Sequence, residues 1–351
     1  MSTFYKLRIK QIVKETIDAI SITFDVPKEL ATTYKFVAGQ YLTIKLTLDG
    51  NEIRRAYSIC SSPQSGDLTI AIKGIFGGVF SNFAVNQLKE NQYLEVSIPE
   101  GRFIFEPKSA AKNTYVAFAA GSGITPIMSI MQSVLEEEPN SSFVLVYGNK
   151  SVQSTIFYQK INQLKEKYLG RLHVHYVFSQ EQCDGELFGR IDKSVVNLIV
   201  KNKYNYINFE KFYLCGPNQM VIQVTDVLKE NGVQSDKIKF ELFTTAASKE
   251  DNKQVATDGQ YLLHVLLDGE ETSFSVPNGT TLLDAILKKG LDPAYSCLGG
   301  ICSSCIARIT KGNAQMKKNS ILTDDEIEEG LILSCQAVPT TSEISVNFDD
   351  V

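Results

Sequence analysis

Four cysteines carry the first chemistry. Cys297, Cys302 and Cys305 form C-x4-C-x2-C, and Cys335 follows after 29 residues. Each iron of a two-iron, two-sulfide cluster takes two protein thiolates, so a tight three-cysteine loop with one distant fourth member suits a [2Fe-2S] cluster. Gly299 and Gly300 can take positive φ and turn backbone N–H groups toward sulfur, and Ser296, Ser303 and Ser304 are small enough to crowd in. The competing reading is zinc. Zinc sites favour paired C-x2-C knuckles, whereas here a single C-x2-C lies inside a longer loop. A cluster of this kind takes up one electron at a time, so the chain is expected to move electrons.

Four further strings suit nucleotide cofactors. Arg55-Ala56-Tyr57-Ser58 reads as a strand on which Arg55 and Tyr57 share a face, a phosphate-pairing guanidinium beside a ring able to stack. Gly77-Gly78-Val79-Phe80-Ser81-Asn82 reads as a glycine turn opening a helix, whose free N–H groups can hold a pyrophosphate. Gly121-Ser122-Gly123-Ile124-Thr125-Pro126 follows an apolar strand and suits a dinucleotide at a helix start, although Pro126 stands where a Rossmann fingerprint has its third glycine. Leu214-Cys215-Gly216-Pro217 ends another strand at a ligand-binding edge, where Cys215 suits contact with a nicotinamide ring. Each string has a plain structural alternative: surface residues, a turn, a tight strand-to-helix connection, and a small buried cysteine.

The elements that must position these residues fall into three blocks. From residue 1 to 107, short strands at Tyr5–Ile12, Ala19–Phe24, Tyr41–Leu48, Leu68–Ile72 and Tyr93–Ile98, with turns at Asp49-Gly50 and Ser65-Gly66, predict a closed antiparallel β-barrel. From 108 to 243, strands at Tyr115–Ala120, Phe143–Tyr147, His173–Phe178, Phe212–Leu214 and Ile238–Leu242 alternate with helices near Pro126, Thr155–Lys167 and Pro217–Glu230. That alternation predicts a doubly wound parallel α/β domain. Residues 244–258 hold almost no large apolar side chain and read as a linker, long enough for the last block to swing or dock. From 259 to 351, a hairpin with its turn at Asp268-Gly269, a helix over Thr281–Lys289 ended by Gly290, and a capping box at Thr323 and Glu326 predict a small α+β domain of β-grasp type.

Composition is that of a water-soluble chain. The net charge of −5 is uneven: residues 259–351 carry 13 acidic and 6 basic side chains, while the remainder is near neutral. An acidic cluster module can steer a basic partner, and nothing suggests nucleic acid. No apolar run approaches the ~18 residues needed to span a bilayer, and the first residues lack a signal peptide's apolar core, so a cytoplasmic location without a membrane is expected. Cys60, Cys183 and Cys215 remain beside the cluster set, an odd number that argues against a disulfide framework. His173, His175 and His264 lie on expected strands and are read as structural.

In this order, RAYS, GGVFSN, GSGITP and CGP resemble the ferredoxin-NADP reductase superfamily over about 3–243, and the remainder resembles plant-type ferredoxin. The whole is similar to reductases of multicomponent oxygenases, phenylacetyl-CoA epoxygenase reductases foremost. The resemblance implies that Arg55 binds flavin phosphate, Tyr57 stacks on the isoalloxazine and Ser58 bonds its N5 edge. It adds Ala56, Ile72, Gly77, Gly78, Val79 and Ser81 to the flavin site and Gly121, Gly123, Thr125, Pro126, Cys215, Gly216 and Pro217 to the NAD(P) site. Phe243 falls where the family brings a residue near the flavin, so Ser58, Cys215 and Phe243 are the candidate catalytic set. FAD is implied in preference to FMN.

The strand ending Tyr147-Gly148-Asn149-Lys150-Ser151 offers no acid for a ribose 2′-OH, while Lys150 suits a 2′-phosphate, so NADPH is favoured with NADH open. NAD(P)H delivers electrons in pairs and a [2Fe-2S] cluster takes them singly, so a flavin must stand between them. The expected function is an NAD(P)H-dependent reductase passing electrons through FAD and the cluster to an oxygenase for phenylacetyl-CoA epoxidation. The alternatives are the reductase of another multicomponent oxygenase, for steroid or aromatic hydroxylation, and, from another class, a redox-sensing or zinc-stabilised binding protein.

Overall fold

The computed structural model describes residues 3–48, 50–243 and 259–351. The expected linker and Asp49 of the first turn lie outside the described residues. The described residues among 1–4, 45–56 and 244–351 cluster as one compact unit, and those among 5–44 and 57–243 as another.

The amino-terminal strands are β1 (Phe4–Thr16), β2 (Ala19–Asp25), β3 (Tyr41–Leu48), β4 (Asn51–Ser58), β5 (Leu68–Lys73) and β6 (Tyr93–Ser97), with helix α1 (Val79–Gln87) between the last two. They form one sheet in the order β4-β3-β6-β1-β2-β5. Closure is slight: an antiparallel bridge from Ile59, just past β4, to Ile70 in β5 joins the two edges. β1 is longer than its expected span because two register shifts, at Ile9/Gln11 and Lys14/Thr16, let it bend along β2.

The middle block holds β7 (Thr114–Ala120), α2 (Ile124–Glu137), β8 (Ser142–Asn149), α3 (Tyr158–Lys167), β9 (Leu172–Phe178), β10 (Leu187–Phe188), α4 (Lys193–Asn197), β11 (Phe212–Gly216), α5 (Asn218–Glu230) and β12 (Ile238–Leu242). All five pairings in the sheet β10-β9-β8-β7-β11-β12 are parallel. The strands are near-continuous apolar runs because helices cover both faces; every residue of Val116–Ala119 is fully buried. Strand order reverses between β7 and β11, the place where such sheets bind ligands. Two elements escape a reading of the sequence: the two-residue β10, and α4, which runs on as a π-helical stretch over Leu198–Lys203. Both are too short to show a period.

One core serves both sheets. Ala38, Cys60, Phe103 and Phe105 from the barrel side join Ile127, Met131, Tyr147 and Cys215 in a single buried cluster. Polar bonds reinforce it, with Ser129 Oγ donating to the Ser61 carbonyl at 2.7 Å and Gln132 Nε2 to that of Cys60 at 3.1 Å.

The last block contains β13 (Gln260–Leu267), β14 (Glu270–Pro277), α6 (Leu282–Lys288), β15 (Ile306–Lys311), β16 (Ala314–Met316), α7 (Asp324–Glu328), β17 (Leu331–Leu333), β18 (Ala337–Pro339) and β19 (Glu343–Asn347). Its main sheet runs β14-β13-β19-β15-β17, with β13 and β19 parallel, and β16 pairs with β18 alone. The hairpin turn has Asp268 at φ 54° and Gly269 at φ 77°, the mirror-image turn that matches strand twist. Thr281 caps α6, and Thr323 with Glu326 forms the expected capping box of α7. Against the hairpin alone read from sequence, five further strands complete the module; most are three to six residues long, too short for alternation to announce them.

Candidate functional site

The four cysteines are gathered by a loop between α6 and β15 and by the segment after β17. Cys302, Cys305 and Cys335 are buried and Cys297 is partly so. The thiols stand as two pairs. Hydrogen bonding from Cys302, with help from the N–H groups of Ile301, Gly299 and Cys302, pulls the Cys297 thiol down to about 6. Cys305 does the same for Cys335, whose thiol is held below its usual value. Among the described residues no three His, Cys, Asp or Glu side chains are grouped around a single ion; a pair-and-pair arrangement is what two bridged irons take.

The loop is built for sulfur. Gly299 N–H points at Cys297 Sγ at 3.4 Å. Gly300 has φ +70°, and a Cβ there would meet the Lys318 carbonyl oxygen at 2.7 Å, so only glycine fits. Gln336 Nε2 holds the Leu298 carbonyl at 2.9 Å. Ser296 Oγ is buried with no partner among the described residues, a donor that a sulfide-rich group would satisfy. These features fit a [2Fe-2S] cluster held by Cys297, Cys302, Cys305 and Cys335.

On β4, Arg55 is half-buried with Nη1 donating to the Arg54 carbonyl at 2.7 Å, and Ala56 follows. Tyr57 packs against Phe80 of α1 with ring centroids 5.7 Å apart. Gly77 has φ +71°, and Gly78 caps α1 with no side-chain hydrogen bond to the first amides. A Cβ on Gly78 would strike Ser81 Oγ at 2.3 Å. Ile72 is fully buried in the barrel ladder opposite Ile20. The turn and uncapped helix start fit a pyrophosphate.

Ser58 is buried, and its Oγ donates to Glu241 Oε2 at 3.1 Å. Glu241 lies on β12 opposite Cys215 of β11. Part of the residue remains accessible, but its carboxyl sits deep, and burial raises it to about 7 despite the Ser58 hydrogen bond. Burial, with the nearby Glu241, also pushes the Cys215 thiol well above its usual value, so it stays protonated. A carboxyl that titrates near neutrality, bonded to a hydroxyl, is a pair that can hold or pass a proton. Sequence reasoning misses Glu241 because it points to Phe243, two residues on, and nothing local marks the acid as buried. Phe243 is half-buried against the shared core.

At the sheet's reversal point the ends of β7 and β11 nearly touch. A Cβ on Gly123 would lie 2.1 Å from the Cys215 carbonyl oxygen and one on Gly216 would lie 2.8 Å from Met220 Cε. Gly121, at φ +55°, faces open space, and its carbonyl accepts from Tyr147 Oη at 3.0 Å. Thr125 Oγ1 donates to the Ser122 carbonyl at 3.1 Å, Pro126 is buried in the first turn of α2, and Pro217 precedes α5. The residues singled out at 121–126 and 215–217 therefore meet at one edge, and the open face at Gly121 fits a dinucleotide. Lys150 is exposed just beyond β8. Beside it, Val152 N–H donates to Glu181 Oε2 at 2.8 Å, so folding brings an acid that local sequence does not show.

Comparison with known proteins agrees with this division of labour. Residues 6–105 match the oxidoreductase FAD-binding domain, 118–226 the oxidoreductase NAD-binding domain and 265–340 the 2Fe-2S iron-sulfur cluster binding domain. The chain is 39% identical over 352 residues to a component of the 1,2-phenylacetyl-CoA epoxidase of Escherichia coli (strain K12), covering 99% of each. It is 33% identical to the ferredoxin reductase component of 3-ketosteroid-9-alpha-monooxygenase of Rhodococcus rhodochrous, covering 97% of this chain and 96% of that one. Phthalate dioxygenase reductase shares the fold with a TM-score of 0.60 at 23% identity, covering 98% of both chains. No described helix is long and apolar enough to cross a membrane. The chain is an oxidoreductase with FAD-binding, NAD-binding and [2Fe-2S] domains, and it belongs to the ferredoxin-NADP reductase superfamily, among the members that carry a carboxyl-terminal ferredoxin domain.

Proposed function

We propose that the chain is the reductase component of a multicomponent oxygenase that epoxidises phenylacetyl-CoA, drawing electrons from NADPH. The observation carrying this reading is the likeness to the Escherichia coli epoxidase component over 99% of both chains. In this reading residues 1–107 form the flavin module, 108–243 the nucleotide module and 259–351 the cluster module, joined by 244–258. Bound flavin supplies the exchange between paired and single electrons. Arg55, Gly78 and Ser81 hold its phosphates and Tyr57 covers its ring. Ser58 and Glu241 keep a proton at the reacting edge, and buried Cys215 and half-buried Phe243 shape the space for the nicotinamide.

Two tests follow. The purified chain should show visible bands of flavin and [2Fe-2S] that NADPH bleaches, and it should support product formation by a phenylacetyl-CoA epoxidase oxygenase component. Support of ketosteroid hydroxylation alone would assign the other partner. A specific observation favours a second coenzyme reading: Glu181 accepts from Val152 N–H just past β8, and an acid in that neighbourhood suits a ribose 2′-OH and hence NADH. Steady-state kinetics of Lys150→Ala and Glu181→Ala with both coenzymes decide it. Selective loss with NADPH in the first variant supports the 2′-phosphate; selective loss with NADH in the second supports the ribose.

A further inference from the structure

Arg54 is a buried cation in the cluster-bearing unit, with 4% of its side chain exposed. It stands on β4, one residue before Arg55, in the segment 45–56 that clusters with the described residues from 259 on. Its guanidinium is held on several sides. Nε donates to Glu52 Oε1 at 2.9 Å and Nη2 to Asp292 Oδ1 at 2.8 Å, across 238 residues of sequence. Its Cζ lies 4.4 Å from the centre of the Tyr295 ring and 5.2 Å from that of Phe4. Asp292 and Tyr295 belong to the run Asp292-Pro293-Ala294-Tyr295-Ser296 that leads directly into Cys297.

Stability alone does not account for this arrangement. A buried ion pair is often matched or bettered by apolar side chains of the same size, and here Nη1 is buried with no hydrogen-bond partner among the described residues, which weakens the case for net stabilisation. What a planar fork stacked on a ring supplies, and a greasy chain does not, is a fixed direction. We propose that Arg54 is a positioning residue that clamps the run entering the cluster loop onto strand β4, so that the cluster module is docked on that strand rather than swinging free. The inference rests on the flavin and cluster reading above, since the clamped run leads into the loop that would hold the cluster.

The test uses the full-length, cofactor-loaded protein with Arg54→Met, Arg54→Lys and Asp292→Asn. Hydrogen exchange at 292–297 reads the clamp without reference to activity, and rapid mixing with NADPH reads flavin bleaching and the reduced-cluster paramagnetic signal separately. Expected for Arg54→Met are exchange at 292–297 at least tenfold faster, flavin bleaching within twofold of the parent and cluster reduction at least tenfold slower. Lysine recovers only part, because one ammonium cannot bond Glu52 and Asp292 while stacking on Tyr295. Asp292→Asn, which alters a half-exposed carboxylate, gives the same pattern more weakly even if the Arg54 variants fold poorly. Parent-like exchange and cluster reduction in Arg54→Met, or in Asp292→Asn if the former does not fold, overturns the clamp. Failure of the parent itself to bleach with either NADPH or NADH overturns the functional reading instead.

Discussion

Replacing Gly123 by alanine probes the meeting of the two nucleotide loops. Its φ of −60° suits any residue, so nothing about the backbone requires glycine there. Space does. The new Cβ would sit 2.1 Å from the Cys215 carbonyl oxygen, 2.4 Å from its carbonyl carbon and 2.8 Å from Gly216 N. These are backbone atoms that no rotamer change can withdraw, and ordinary contact is ~3.5 Å. The ends of β7 and β11 must therefore part by more than ~1 Å. Overpacking of this kind costs about 1–3 kcal/mol, and a displacement of ~1 Å in a site can cost up to ~100-fold in rate. We expect Gly123→Ala to raise KM for the nicotinamide coenzyme by roughly 5- to 100-fold, with visible flavin and cluster bands retained. Gly170→Ala is the control: φ is +81° and a Cβ meets nothing within 4 Å. It should cost only about 1–2 kcal/mol of backbone strain and leave KM alone. The assay is coenzyme-dependent ferricyanide reduction together with a thermal melt. Unchanged KM and melting temperature in Gly123→Ala would refute the reasoning, because the two strand ends would then have slack that the geometry denies them.

Three other outcomes are expected. Glu241 binds its proton more tightly when folded, its carboxyl lying near 7. Its contribution is thus fully present below an ordinary carboxyl value of ~4.3 and declines as pH rises through about 7, by at most about 4 kcal/mol; melting temperatures at pH 5.5 and 8.5 should show Glu241→Gln gaining on the parent at the higher pH, and parallel curves would count against a carboxyl raised by burial. Cys335→Ser removes one of four thiolates, so the cluster bands and one-electron output should disappear while NADPH still bleaches the flavin; a full cluster spectrum would sink the assignment. Gly300→Ala forces a Cβ against the Lys318 carbonyl from a left-handed backbone, and the cluster should bleach faster in air without loss of flavin, which timed absorbance checks.

What sequence makes legible is local chemistry. Cys297, Cys302 and Cys305 share one loop, Thr323 and Glu326 share one helical turn, and Asp268-Gly269 is a turn in itself, so each can be read from neighbours. The glycines at 121 and 123 read as room for a close backbone approach; Gly121 does face open space, whereas the surface closest to Gly123 is the backbone at Cys215, which only strand order supplies. Ser58 and Glu241 meet across 183 residues and Arg54 and Asp292 across 238. No period or spacing encodes such a meeting. The short strands of the last block are illegible for another reason: β16, β17 and β18 have three residues each, fewer than two full alternations.

The place of β19 in its sheet has a consequence for synthesis. It lies between β13 and β15, pairing with both, and it follows all four cysteines in chain order. A nascent chain therefore displays every thiol before the strand that joins the two halves of the sheet has been made, and domains fold as units in the order they emerge. Until 343–347 are in place, the cysteine loop has no completed framework behind it. Iron and sulfide are thus best received late, and shortening the chain ahead of β19 should leave four thiols open to oxidation and mispairing rather than a smaller working module.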